Sequence, residues 1–285
     1  MARFNVMMLM LLLIVGIPYY WFVIDNSAPA AEPEAITIEH LRQLAVSPGE
    51  PGPQRIRFER VASQWVMGNR IAAGMGLRSI RLHAISYMID YGDQAPVLIG
   101  AGMTRRDSNR FEHQTYAIRA QARINRALLR ARTVVPLAPI PEQTGGLRLI
   151  EGTAQAVKLD SKLAQLQQRD RADAPYRVAP GVVVIPTPRF MPGTRMVYVR
   201  LTNGREYLFA GKIAPIWRNW YSQRLPARFV TDLGRREDRQ AIRAWLLTIQ
   251  ALKRQAPALV VVPGNGITKG SGLQRFFDES GQILS

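Results

Sequence analysis

Residues 182–214 read VVVIPTPRFMPGTRMVYVRLTNGREYLFAGKIA. An unbroken apolar run enters a turn rich in Pro and Gly. The next run alternates and reverses at Asn203-Gly204, the dipeptide of a two-residue hairpin loop. Working outward, TVVPLAPIPEQTGGL (133–147) and LVVVPGNG (259–266) are further short apolar strands that run directly into loops. Upstream, IRFERVAS after Pro53, RSIRLHAISYMIDYG (78–92) and APVLIGAG (95–102) also read as strands. Asp107-Ser108-Asn109 offers caps for a helix expected to reach about Arg132. On it Ala117, Ala120, Ile124, Leu128 and Ala131 form the burying side. A polar helical stretch covers roughly 159–170. A second amphipathic helix runs from about Arg236 to Arg254, with Ile242, Trp245, Leu246, Ile249 and Leu252 on one face. Strands interleaved with helices and one hairpin imply an α/β layered domain.

Composition narrows the chemistry. The chain has 285 residues, 47% of them hydrophobic, which is too apolar for disorder and ample for a core. It has no cysteine, which excludes disulfide scaffolds, Cys-ligated zinc, iron–sulfur clusters and thiol nucleophiles. Its three histidines, His40, His83 and His113, are scattered and read as ordinary surface or half-buried residues. The net charge of +17 comes almost wholly from arginine. Such a balance fits nucleic acid or an anionic membrane.

The N-terminus decides between these two. From Phe4 to Ile24 there are 21 residues without a charge, bounded by Arg3 and Asp25. As a helix they span roughly 30 Å, one hydrocarbon core. Tyr19-Tyr20-Trp21-Phe22 lies at the far end, where an interfacial aromatic belt belongs. Arg3 places the N-terminus inside and the remaining chain outside, in the periplasm or the extracellular space. A cleaved signal peptide is the rival, since Ala28-Pro29-Ala30 has the small-x-small form. The apolar run is long for a signal and Pro29 suits cleavage poorly, so an anchor is preferred. Export makes nucleic acid an unlikely partner and membrane lipid the expected one. The chain thus divides into an anchor (1–24), a Pro-, Ala- and acid-rich linker (25–36) and a domain (37–285).

The order of these pieces resembles the metallo-β-lactamase fold, in its glyoxalase II-like and lactonase-like branch, over about residues 55–266. That resemblance implies an αββα four-layer sandwich and, for an active member, two zinc ions held at loop tips by His and Asp. The H-x-H-x-D-H part of the family pattern T-H-x-H-x-D-H-x-G-G falls on Ala138-Pro139-Ile140-Pro141-Glu142-Gln143. The histidine of P-G-H-T-P-G-S falls on Phe190, the bridging aspartate of F-x-G-D on Lys212, and the histidine of V-P-G-H on Asn265. The usual aspartate after the early strand is Gly100. Of these, only Glu142 is an anionic donor; Gln143 and Asn265 are neutral amides. Ala138, Ile140 and Phe190 have no lone pair to give, and Lys212 would repel a dication. The expectation is a retained scaffold with no cofactor and no metal site, a silent relative that acts by binding or scaffolding. Lys212 and Glu142 are expected to pair where the metals would lie. The competing expectation is a rebuilt hydrolase of esters or lactones, with Glu142 as base and Lys212 stabilising an oxyanion.

Other features carry less. Gly264-Asn265-Gly266-Ile267-Thr268-Lys269-Gly270-Ser271 follows a strand but lacks the P-loop ending and the dinucleotide-binding spacing, so it reads as a plain glycine loop. No G-x-S-x-G occurs. Arg119, Arg123, Arg126 and Arg130 share one helix face, read as solvated or as a contact for anionic lipid headgroups. Segment 105–132 carries eight arginines against Asp107 and Glu112. Trp217, Trp220 and Tyr221 follow Lys212 and, by the resemblance, border the mouth of the site.

Overall fold

The structure is a computed structural model that describes residues 2–235, 237–267 and 270–276. One six-stranded sheet has the order β11-β1-β2-β3-β5, with β4 against β1. Its strands are β1 (Arg55–Met67), β2 (Ser79–Tyr91), β3 (Gln94–Ile99), β4 (Thr115–Tyr116), β5 (Thr133–Val135) and β11 (Gln274–Arg275). The other, five-stranded, sheet has the order β10-β9-β8-β7-β6. It holds β6 (Tyr176–Ala179), β7 (Val182–Pro186), β8 (Arg195–Arg200), β9 (Glu206–Phe209) and β10 (Val260–Val262).

Period-two alternation of apolar residues dictates the layers. Ile85, Tyr87 and Ile89 of β2 face inward and meet Val182, Val184, Val197 and Phe209 of the second sheet. The Tyr87 and Phe209 rings touch edge to face across the two sheets, centroids 4.7 Å apart. Ala84 and Met88 of β2, with Leu98 of β3, face outward onto α4 (Ile118–Leu128) and α6 (Ala154–Asp170). On the other side Val183, Ile185, Met196, Tyr198 and Leu208 meet α2 (Ile38–Ala45) and α8 (Arg239–Gln255). Trp245 and Leu246 of α8 are fully buried there, each worth roughly 1.5–3 kcal/mol of apolar burial. The result is an αββα four-layer sandwich, as the resemblance implies.

Several expectations need correcting. The helix expected to run to Arg132 is broken in two. Thr104, not the Asp107-Ser108-Asn109 run, caps the first piece, α3 (Arg105–Arg110), and Asp107 returns the bond in a capping box. Glu112 then takes a left-handed φ of 55° and β4 intervenes before α4. Ala117 is the exposed N-cap of α4 and is not on its buried side. The hairpin loop has three residues, not two. Gly204 N–H donates to Leu201 O and Leu201 N–H to Arg205 O, with Gly204 left-handed at φ 82°. That is a type I turn closed by a glycine bulge. The helix placed at Arg236–Arg254 starts at Arg239, capped by Asp238; Arg236 lies outside the described residues. Short α5 (Pro141–Thr144) sits where a loop was expected, and α7 (Trp217–Tyr221) is a further short helix.

At the N-terminus α1 (Ala2–Tyr19) continues into a π-helical turn, Tyr20–Ile24. The stretch Phe4–Ile24 is long and apolar enough to cross a membrane, and none of its hydrophobic window is buried. A signal sequence would pass the same test. Residues 25–36, read as a linker, lie against the domain: Glu34 N–H donates to Thr248 Oγ1 and the Glu34 carboxylate pairs with Arg189.

Candidate functional site

Four loops leave the strand ends on one edge of the sandwich: after β5, β7, β9 and β10. They bring the sequence positions of interest together. Ala138, Ile140, Glu142, Gln143, Lys212 and Asn265 all line one cavity of about 20 Å³, room for a water or two. Phe190 lines an adjoining groove of about 580 Å³ that shares Ile140, Lys212 and Asn265 with the cavity. Trp65, Phe111 and Met191 give the groove apolar walls.

The loops are held by backbone contacts that need glycine. A Cβ on Gly264 would lie 2.2 Å from Gly211 O, so the turns after β10 and β9 pack main chain on main chain. Gly264 N–H donates to Ala214 O and Asn265 N–H to Pro215 O. Gly193 is left-handed at φ 75°, and the Thr187 and Thr194 hydroxyls close its loop at 2.6 Å. Buried Arg195 ties the β5 loop to the end of α6: it pairs with Asp170 at 2.5 Å and donates to Pro136 O.

At the individual positions the side chains do structural work. Asn265 Nδ2 donates to His83 O, and His83 N–H donates to Asn265 O, a two-way clamp onto β2. Burial, then the nearby Arg60 and Arg81, push the His83 imidazole below its ordinary pKa. Buried Gln143 accepts from Leu137 N–H through Oε1. That same amide covers Gly100: a Cβ there would meet Gln143 Oε1 at 2.6 Å, and the φ of 77° disfavours side chains. Gly100 and Gln143 are therefore complementary. Ala138 is buried and Phe190 is partly buried against the outer helical cluster.

Among the described residues, no group of three or more His, Asp or Glu side chains converges as a metal site. The donor set at the seven positions the resemblance marks, one carboxylate and two amides beside an ammonium, does not fit a dinuclear zinc centre. Glu142 and Lys212 line the same cavity, but no ion pair among the described residues joins them, so the pairing expected from the sequence is not made.

Three placements depart from the sequence reading. His113, set aside as scattered, lines the cavity, its ring Nδ1 3.3 Å from Ser108 O. The left-handed turn at Glu112 brings it there, and nothing in the sequence marks that turn. Arg123 is no free member of an arginine face. It forms a bidentate pair with Glu59 of β1, at 2.5 and 2.9 Å, while Arg119, Arg126 and Arg130 stay exposed. Trp217, Trp220 and Tyr221 do not wall the groove, which reaches α7 only at Asn219. Trp220 packs against the α2–α8 layer, and Trp217 and Tyr221 stack on each other outside it. Of the glycine loop, Thr268 and Lys269 lie outside the described residues.

No protein-family model matches the chain, and no curated protein matches it. Solved structures do. A quorum-quenching N-acyl homoserine lactone hydrolase aligns over 79% of this chain and 97% of its own, at 12% identity and a TM-score of 0.60. A probable metal-dependent hydrolase from Staphylococcus aureus aligns over 76% and 90%, at 12% identity and 0.55. AidC, a dizinc quorum-quenching lactonase, aligns over 80% and 97%, at 9% identity and 0.50. The chain therefore has the metallo-β-lactamase fold of these hydrolases.

Proposed function

We propose that this chain is a membrane-anchored, exported protein of metallo-β-lactamase fold that has lost the dinuclear metal centre and works by binding a small ligand at its loop edge. One observation carries the reading. The loops are kept in place by close glycine packing and by Arg195, while Ala138, Ile140, Phe190 and Lys212, which the resemblance aligns with cation ligands, line the cavity and groove between them. Zinc titration of the purified full chain, with a screen of ester and lactone substrates, tests this. Substoichiometric zinc and no turnover are expected; close to two ions per chain with turnover would overturn it.

A second reading is favoured by the shared cavity of Glu142, Lys212 and His113. In it Glu142 takes a proton from an attacking water and the Lys212 ammonium stabilises the oxyanion of an ester or lactone. Metal-independent turnover that is lost in both Glu142→Gln and Lys212→Met would establish it. Turnover that survives either change would dismiss it.

A further inference from the structure

The joint between α1 and the domain has no slack. The Arg228 guanidinium lies 4.1 Å from the Trp21 ring centroid and pairs with Asp25 at 2.7 Å. Asn26 exchanges hydrogen bonds with the 223–225 segment: its Nδ2 donates to Gln223 O and its Oδ1 accepts from Leu225 N–H. Arg243 of α8 donates to Asn26 O, and buried Arg239 donates to Ser27 O. Gly74 N–H reaches Val23 O. Contact with the domain thus begins inside the apolar helix itself.

The surface around that joint has the make-up of a bilayer interface. Leu77 lies three residues beyond Gly74, and Leu233 lies in the turn that follows Arg228. Trp217 and Tyr221 sit on α7, just before Gln223. All four are more than half exposed. Trp and Tyr favour the headgroup level, where one side of the ring is apolar and the other wet. Arg78, Arg218 and Arg224 are exposed among them. The two carboxylates at the joint, Asp25 and Asp232, both pair with Arg228, which leaves the patch cationic.

We infer that this face, carrying Leu77, Trp217, Tyr221 and Leu233 among arginines, lies flat on an anionic bilayer and fixes the orientation of the domain. The inference rests on the reading of α1 as a retained anchor. It places lipid contact at the α7 face rather than at the exposed arginines of α4.

The absence of cysteine makes the test direct. Single cysteines are placed in the full chain at Leu12→Cys, Leu77→Cys, Tyr221→Cys and Leu233→Cys. A control is Val157→Cys on α6, in the opposite helical layer. Each is labelled with an environment-sensitive fluorophore and reconstituted in phosphatidylcholine vesicles with or without phosphatidylglycerol. Nitroxide lipids serve as quenchers. The labels at 77, 221 and 233 are expected to shift to shorter wavelength and to lose emission, more so with phosphatidylglycerol, while the label at 157 does neither. Combined Arg78→Gln, Arg218→Gln and Arg224→Gln should reduce that quenching; Arg119→Gln, Arg126→Gln and Arg130→Gln should not. If the label at 12 is quenched but those at 77, 221 and 233 behave like 157, the anchor stands and the docked face falls. If the label at 12 is not quenched, the anchor reading falls and takes this inference with it.

Discussion

Glu206 shows how much a single buried carboxylate can hold. It accepts from Arg42 at 2.7 and 2.8 Å and from the Tyr198 hydroxyl at 2.5 Å. Burial opposes its ionisation, but the hydrogen bonds from Arg42 and Tyr198 outweigh it and hold the carboxyl below its ordinary value of 4.5. The folded chain therefore binds this proton less readily than the unfolded chain. The contribution is complete above 4.5 and is lost as pH falls through the depressed value. Urea unfolding midpoints should drop on acidification, and Glu206→Gln should flatten that dependence while lowering stability at neutral pH. A wild-type slope in the variant would contradict this. Gly264 is a second sharp case. Gly264→Ala drives a Cβ into Gly211 O and should destabilise by about 1–3 kcal/mol, read from the same midpoints. Neither effect can be read from sequence. Glu206 looks like any hairpin residue, and its partner Arg42 is 164 residues away. Gly264 looks like any loop glycine until its neighbour is known.

Elements with a strong period were legible, and those fixed by distant partners were not. The apolar stripe of α8 marked both its position and its buried face, because period alone sets which side meets the core, whereas the imperfect alternation in 78–92 marked a strand but not its faces, since β2 is buried on both sides from Ala84 onward. The break between α3 and α4 escaped because it is made by a non-glycine left-handed residue, Glu112, and by pairing of β4 with β1. The hairpin was legible in kind, though its loop length depended on whether Thr202 joined the ladder. At this scale Arg195 carries the most weight, since it links β8, α6 and the β5 loop. Arg195→Met leaves Asp170 without its cation and should cost about 3–5 kcal/mol. Adding Asp170→Asn should recover part of that loss, a coupling that a double-mutant cycle measures. Asp238→Ala removes the cap of α8 and should cost about 1 kcal/mol. An unchanged melting temperature would deny Asp238 that role.

For the whole molecule, the framework and the chemistry separate. Two sheets and their helical layers are arranged as in the aligned hydrolase structures, and the edge loops of this chain carry one carboxylate, two amides and an ammonium at the positions the resemblance marks. Replacing Ala138, Ile140, Gln143, Phe190 and Asn265 by His, and Glu142 and Lys212 by Asp, should raise zinc uptake toward two ions per chain. Failure of a folded variant to take up zinc would show that these loops no longer have the required spacing. Partial restorations should fare worse than their number suggests, and Gly100 shows why. An aspartate there strikes the amide of Gln143, yet without that amide Leu137 N–H loses its acceptor. Gly100→Asp should therefore be milder when combined with Gln143→Ala than their separate losses predict. Positions 100 and 143 therefore behave as one unit: a change at either is felt at the other, and a redesign of this edge has to treat them together.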